Sequence, residues 1–435
     1  MITGILLLCL PLAFPHEEEL PSAPAPAPST VAFVGARILP VSGPPIEQGV
    51  LVVRNGVITD VGPATSTLIS PSALIVDLSG RTLMPGLVDT HSHIGGGWAA
   101  DDSEPIQPAV RVLDSVNARD PGFRRAQAGG LTTINVMPGS GHLMSGQTLY
   151  LKLRGGDTIE QLLVHDDAGR IAGGMKMANG TNSQRDTPFP GTRAKSAALV
   201  RARFLEAQAY QARLAKDQGA VDRDLGLEAL VEVLEGTRMV HHHTHRHDDI
   251  LTVLRLAEEF GFRVVLHHVS EAWKVAEEIA AAGVGSSLIM LDSPGGKLEA
   301  RDIRWSNGLE LEKHGAPVAI HTDDWITDSR LFLRSAALAV RGGMSREGAL
   351  RALTLEGARM LDLDHRVGSL EPGKDADFIV LSGDPFATKT RVLETWVEGK
   401  RVFNDKDSKD HLWAVGGRGA GQESVHLCCT GGSGR

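Results

Sequence analysis

Apolar positions along the chain change their period twice. From Val31 to Met84 they fall in short, β-branched runs. Val50-Leu-Val-Val-Arg54 and Val57-Ile-Thr-Asp-Val61 flank Asn55-Gly56. Two residues of that type between strand-like runs signal a tight hairpin. The pattern returns near the other end. Asp377-Phe-Ile-Val-Leu381 and Val392-Leu-Glu-Thr-Trp-Val397 read as strands, and Glu398-Gly399-Lys400 turns the chain into Arg401-Val-Phe403. Neither stretch is large enough to bury a core alone. Residues 31–84 and 364–408 are therefore expected to pair into one small β-sandwich domain, with the block between them inserted.

In residues 85–363 strand-like and helix-like runs alternate. Leu131–Val136, Val264–Leu266, Ser287–Leu291 and Val318–Ile320 read as strands. Glu271–Ala282, Leu331–Arg341 and Arg346–Leu361 read as helices. This alternation implies a parallel sheet with helices packed on it. A block of roughly 280 residues suits a (β/α)8 TIM barrel. The doubly wound alternative would be favoured by a Gly-rich phosphate loop after an early strand, and none is present.

Four apolar runs stop abruptly at His or Asp. The first is Leu87-Val-Asp-Thr-His91-Ser-His93. On a strand, residues i and i+2 share a face, so His91 and His93 can aim at one point. The others are Met239-Val-His-His-His-Thr-His-Arg-His247, Val264-Val-Leu-His267-His268 and Val318-Ala-Ile-His321-Thr-Asp323-Asp324. In the second, His241, His243 and His245 share a face. Any one of these runs alone could be a polar strand–loop junction or a surface tract. Together they fall at the strand ends where barrel enzymes keep their chemistry. Buried there without partners they would cost on the order of several kcal/mol each. A divalent metal would satisfy them jointly. All-nitrogen and oxygen ligation suits zinc, with manganese, iron and nickel as alternatives.

Composition narrows the field. The 435 residues include 17 histidines, and 44 basic against 53 acidic residues leave a net charge of −9. That balance, with 4% aromatic residues, gives no basis for nucleic-acid binding. Cys9, Cys428 and Cys429 lie outside the body of the chain, so neither a disulfide framework nor a cysteine zinc site is encoded there. Residues 1–20 carry the apolar core of a secretory signal, without the usual preceding Lys or Arg, and are too short to span a membrane. Leu8 before Cys9 does not fit a lipoprotein signal. Residues 21–30 read as a stiff Pro/Ala linker and 409–435 as a loose tail. No other stretch is apolar enough to cross a membrane. The expected location is periplasmic or extracellular, or cytoplasmic if residues 1–20 are not a signal. A homo-oligomer stays open.

The strand-end pattern resembles a known group. Pro85-Gly-Leu-Val-Asp-Thr-His-Ser-His93, two later His strands, a terminal Thr322-Asp323 and the closing Gly368-Ser-Leu-Glu-Pro-Gly-Lys-Asp-Ala-Asp-Phe378 resemble the amidohydrolase superfamily. The likeness covers Val31 to Phe403. Gly173-Gly-Met-Lys-Met-Ala-Asn-Gly180, leading to Arg185 and Phe189-Pro-Gly-Thr-Arg193, is similar to the imidazolonepropionase-like branch. The resemblance implies that His91 and His93 are the first-strand metal ligands. It implies His243 as the fifth-strand ligand, with His245 as its alternate. It implies His268 on the sixth strand, with His267 as its alternate, and Asp323 as the eighth-strand aspartate. Lys176 stands where two-metal relatives carry a carboxylated bridging lysine; an ordinary strand-end lysine is the other reading. One or two ions per chain are therefore expected. Relatives carry Glu where this chain has Thr181, which puts the role of that loop in doubt. Arg185 and Arg193 are candidates for gripping a substrate carboxylate, against the reading of plain loop arginines.

The implied reaction is hydrolysis of a C–N bond in an amide, a cyclic amide or a peptide-like, small-molecule or dipeptide-like substrate. A divalent ion activates water near neutral pH by lowering its pKa to about 7. Asp323 would orient that water, accept its proton and pass it to the leaving nitrogen. With one ion, His268 would polarise the carbonyl. With two, His243 and His268 would hold the second and Lys176 would bridge. Two other classes stay open. A deaminase attacking a ring C–N bond would release ammonia. A non-catalytic barrel scaffold would be expected to have lost ligands, and here the set is whole.

Overall fold

The computed structural model describes residues 30–96, 99–216, 221–290, 297–324 and 326–416. The expected signal at 1–20, the linker up to residue 29 and the tail from 417 lie outside the described residues. Strands β1 (Thr30–Ile38), β2 (Ile46–Arg54), β3 (Val57–Pro63), β4 (Leu74–Asp77) and β5 (Thr82–Pro85) come first. Then follow β6 (Leu87–Ser92), β7 (Leu131–Val136), β8 (Met144–Gln147), β9 (Leu149–Lys152) and β10 (Met175–Ala178). The next are β11 (Val240–Thr244), β12 (Val264–His268), β13 (Gly285–Leu288) and β14 (Val318–Ile320). Strands β15 (Phe378–Leu381), β16 (Val392–Val397) and β17 (Lys400–Asn404) complete the set. Helices fill most of the connections between β10 and β15, so the fold is mixed α/β.

Both ends of the described chain meet in one eight-stranded sheet, ordered β17-β16-β15-β5-β1-β2-β3 with β4 beside β1. The junction is the antiparallel pairing of β5 with β15, Pro85 facing Phe378. The hairpin between β2 and β3 forms because Asn55 and Gly56 both take positive φ (52° and 81°), as the tightest two-residue turn requires. Phe33, Leu51, Ile58, Leu83, Phe378 and Val380 make a core of their own against this sheet. Phe33 stands edge-on to Phe378 and Trp396, with ring centroids 4.8 and 5.0 Å apart, a favoured aromatic geometry.

The central block holds two further sheets, β6-β7-β9 and β14-β13-β12-β11-β10-β8. Strands β6 and β7 are parallel, and so are β10 through β14. The expected unbroken β/α alternation fails at β8 and β9, which pair antiparallel with β10 and β7. No helix lies between Val136 and Leu149, and without a crossover a strand can return only antiparallel. Hydrogen bonds link the two sheets on both flanks. Thr148 N donates to Gly174 O (2.8 Å) and Tyr150 N to Ala172 O (3.0 Å). Asp323 N donates to His91 O (2.9 Å) and His93 N to Asp324 O (3.2 Å).

Three local expectations change. The helix read at Glu271–Ala282 is a 3-10 turn, Ala272–Lys274, and a helix, Ala276–Ala281, separated at Val275 (φ −138°, ψ 32°), whose side chain is buried. The helix read at Arg346–Leu361 splits into Arg346–Ala352 and Leu355–Met360. At the break Thr354 Oγ1 donates back to Leu350 O (2.7 Å), the local bond by which Thr competes with helix continuation. The tail read from 409 begins instead as a helix, Ser408–Val415. Asp407 caps it, accepting from Lys409 N (2.8 Å), and Arg124 holds Asp410 at 2.6 Å. No helix among the described residues is long and apolar enough to cross a membrane.

Candidate metal centre

Strand β6 ends where a cluster of imidazoles begins. His91 and His93 bring their Nε2 atoms to 3.4 Å of one another. Asp323, two residues beyond His321 at the end of β14, sets Oδ1 at 3.1 Å from His93 Nε2 and 3.3 Å from His91 Nε2. Lys176 on β10 adds Nζ at 3.0 Å from His91 Nε2 and 2.9 Å from Met137 Sδ. His93 Nδ1 lies 2.8 Å from the Met137 carbonyl. That bond puts the ring proton on Nδ1 and leaves Nε2 a lone pair for the centre. Asp89 anchors the frame: its Oδ1 accepts from His91 N and Thr322 N, both at 3.1 Å, tying β6 to the segment after β14.

A second group forms at the ends of β11 and β12. The register sets His243 beside His267 and Thr244 beside His268. Regular alternation would turn His268 away from His243. His268 instead takes a left-handed φ of 70°, which L-residues with a Cβ rarely adopt. Its ring then lies 4.1 Å from that of His243 and 5.0 Å from that of His245. His267 keeps the alternation, with its ring 5.0 Å from that of His91; its Nε2 is 2.9 Å from His241 Nδ1, and His241 Nε2 is 2.8 Å from the Tyr150 hydroxyl. Of the two adjacent histidines, His268 is the one whose ligand atom joins the close triads found among the described residues. Asp323 is also left-handed (φ 51°), so backbone strain occurs at two residues of the cluster.

Two contributors exceed the sequence reading. His321 faces His91 and His268, with ring centroids 4.8 Å away from each. Its Nδ1 sits 2.9 Å from Ser287 Oγ, itself 2.6 Å from Thr90 Oγ1. Its place two residues before Asp323, the spacing of His91 and His93, was the available signal. His245, the alternate to His243, joins the cluster beside it rather than replacing it, with ring centroids 4.8 Å apart.

Electrostatics prepare these groups for a cation. Burial, reinforced by the Lys176 charge, holds His91 well below the usual imidazole range, and burial does the same for His243 and His268. Burial pushes His245 and His321 down to about 3. Neutral imidazole is the form that binds a metal. Burial also pushes Lys176 down to about 7. Burial raises the Asp323 carboxyl, but its neighbours outweigh burial and hold the group below its usual range: the hydrogen bond that His93 donates in its doubly protonated form, and the charges of His93, His321 and Lys176. His91 Nδ1, both nitrogens of His243 and the Nε2 atoms of His245, His268 and His321 are buried without a hydrogen-bond partner. Such atoms destabilise a fold unless something satisfies them. Three triads, His91–His93–Asp323, His91–His268–His321 and His243–His245–His268, each bring their ligand atoms within 4.8 Å of one another. The donor set could hold a divalent ion.

The two arginines read as substrate grips have other partners. Arg193 Nε contacts both oxygens of Asp249 (3.0 and 2.9 Å), and Nη2 reaches Glu299 at 3.3 Å. Arg185 Nη2 donates to Gly141 O (2.8 Å) and pairs with Asp102 at 2.9 Å, while its guanidinium stacks 3.8 Å over Phe189. Both tie loops together through these contacts. A groove of about 960 Å³ lined by Met239, Arg263, Gly285 and Met360 opens at the opposite ends of β11 to β13, far along the strands from the imidazoles. The chemistry is located here by converging side chains, not by the volume of a cleft.

Comparison with known proteins bears directly on this arrangement. The profile of the amidohydrolase family matches residues 235–403. The structure of an amidohydrolase from Thermotoga maritima MSB8 is similar at a TM-score of 0.80 and 34% identity, covering 86% of this chain and 100% of that one. An imidazolonepropionase from Deinococcus radiodurans is 29% identical over 83% of this chain and 91% of its own length. Amidohydrolase tasK from Hapsidospora irregularis is 28% identical over 82% of this chain, which spans 40% of that protein. The chain belongs to the amidohydrolase family and is a hydrolase acting on carbon–nitrogen bonds. Within the superfamily it falls in the imidazolonepropionase-like branch.

Proposed function

We propose that this chain is a metal-dependent amidohydrolase that cleaves an amide, cyclic amide or peptide-like bond in a small-molecule or dipeptide-like substrate. The observation that carries the reading is the convergence of His91, His93 and Asp323 on one point, their ligand atoms within 4.8 Å. In this reading β6, β7, β9 and β10 to β14 are the strands of a (β/α)8 TIM barrel with one antiparallel member. The hydrogen bonds that join the two central sheets on both flanks support it. The eight-stranded sheet around Phe33 is the small β-sandwich domain, residues 31–84 with 364–408, and 85–363 is the catalytic block. Export through residues 1–20 belongs to the same proposal, and cell fractionation tests it.

His91, His93, His243, His268 and Asp323 are the ligand candidates, with Lys176 as a carboxylated bridge. Zinc is the ion their nitrogens and oxygens favour. When bound, such an ion lowers the pKa of water and polarises a carbonyl oxygen. Asp323, held ionised, faces the point where His91 and His93 meet. It orients the attacking water, accepts its proton and delivers that proton to the leaving nitrogen. His268, with Nε2 at 3.9 Å from Asp323 Oδ2, borders the same space.

Purified protein supplied with zinc or manganese and a panel of dipeptides and cyclic amides tests the reading. Turnover that disappears on chelation and returns with metal is the expected result. Metal-independent turnover overturns the metal requirement. Ammonia released only from an aminated ring turns the reading toward a deaminase.

A further inference from the structure

We propose that His267, held in place by His241 and Tyr150, is the outer hydrogen-bond partner of His91 in the ion-loaded centre and fixes that ring for ligation. The inference rests on the metal-dependent reading above. It makes His267 a positioning residue and not a ligand.

His91 turns Nε2 to the centre, 3.4 Å from His93 Nε2 and 3.3 Å from Asp323 Oδ1. An imidazole that gives Nε2 to a cation carries its proton on Nδ1, and that proton needs an acceptor. Neighbouring rings have a partner at this position. Nδ1 of His93 lies 2.8 Å from Met137 O, that of His245 2.7 Å from Ser270 Oγ and that of His321 2.9 Å from Ser287 Oγ. His91 Nδ1 is buried with no partner, and so is His267 Nδ1. The two rings meet edge-on with centroids 5.0 Å apart. His93, His268 and His321 also touch His91, but each gives a ligand atom to the close triads. His267 is in none of the triads found among the described residues.

A line of hydrogen bonds decides which nitrogen of His267 is bare. His267 Nε2 is 2.9 Å from His241 Nδ1, and His241 Nε2 is 2.8 Å from the Tyr150 hydroxyl. Burial holds His91, His241 and His267 below the usual imidazole range, so each ring carries one proton. With His91 donating from Nδ1, one order of protons fits. His267 accepts at Nδ1 and donates from Nε2 to His241 Nδ1, and His241 donates from Nε2 to the Tyr150 oxygen. His91 and Tyr150 stand on the three-stranded central sheet, His241 and His267 on the six-stranded one. All four side chains are buried. Gly174 leaves room for the line: a Cβ there would stand 2.8 Å from His241 Nε2, closer than real contacts allow.

Zinc affinity, measured by competition with a chelating dye, reads the bond without turnover. In His267→Asn the amide oxygen takes the place of Nδ1, and affinity is expected to stay near that of the wild type. In His267→Gln the amide takes the place of Nε2 and leaves nothing at Nδ1. Affinity there is expected to fall roughly 10- to 100-fold. Tyr150→Phe removes the far end of the line and is expected to weaken zinc by about 10-fold or less. Nitrogen NMR of the zinc-loaded, isotope-labelled protein is expected to show His267 protonated at Nε2 alone. Unchanged affinity in His267→Gln, an equal or larger loss in His267→Asn, or a proton on His267 Nδ1 overturns the inference and leaves the metal-dependent reading standing. A wild type that binds no zinc overturns both. If the His267 variants do not fold, Tyr150→Phe decides, and affinity equal to the wild type overturns the inference.

Discussion

The core around Phe33 and the imidazole centre are both buried, yet they are completed differently. In the first, Phe33, Phe378 and Trp396 pack by shape, and the one polar side-chain atom among them, Trp396 Nε1, donates to Glu394 Oε2 (2.9 Å). In the second, His91, His243, His245, His268 and His321 keep buried nitrogens without partners, although their rings touch as closely. Apolar burial is non-directional and ends when the volume is filled. Burial of lone pairs is directional and ends only when an acceptor of electrons arrives. One region is finished by folding; the other leaves donor atoms that a divalent ion could take.

The sharpest break in that contrast is chemical. Asp323→Asn keeps the side-chain volume and removes the proton acceptor. Activity should fall about 100- to 10,000-fold, with ion content per chain largely retained by elemental analysis. Full activity would remove Asp323 from the reaction. Next comes the apolar side. Phe33→Ala should cost about 3–5 kcal/mol in urea unfolding and leave ion content unchanged. Lost ions in that variant would show that the two regions fold as one cooperative unit.

Chelation probes the other side directly. Removing divalent ions held at 100 to 1,000 times their Kd should cost about 3–4 kcal/mol of stability, read as a lowered thermal midpoint. Phe33→Ala should cost the same with and without chelator, within about 0.5 kcal/mol. A larger difference would mean the centre and the sheet core are coupled. The smallest effect belongs to neither region. Asp407→Ala removes the cap of the helix Ser408–Val415 and should cost about 1 kcal/mol, with turnover unchanged.

Between the two regions lies a buried charge cluster that packing rules alone do not foresee. Lys152 on β9 sits 2.7 Å from Asp375 and 2.8 Å from Asp377, which lead into β15. It fastens the central block to the sheet built from both chain ends. Its parts are more than 200 residues apart, so no local pattern announces the pair.

Much of this molecule was legible in its sequence where the governing physics is local. The Asn55-Gly56 hairpin, the apolar strands β7, β12 and β14 and the i, i+2 pairing of His91 with His93 follow from turn chemistry and side-chain period. Each depends on a few adjacent residues. The break at Thr354 and the helix at Ser408 were also local but were hidden by helical periodicity and by composition. What only the tertiary structure decided is which side chains meet. It selected His268 over its neighbour His267 through a left-handed backbone, added His245 and His321 to the centre and gave Arg185 and Arg193 to carboxylates of the chain itself. Those outcomes depend on strand register and on where a strand end bends. Register is set by pairing between segments distant in the chain, and no period within one segment encodes it.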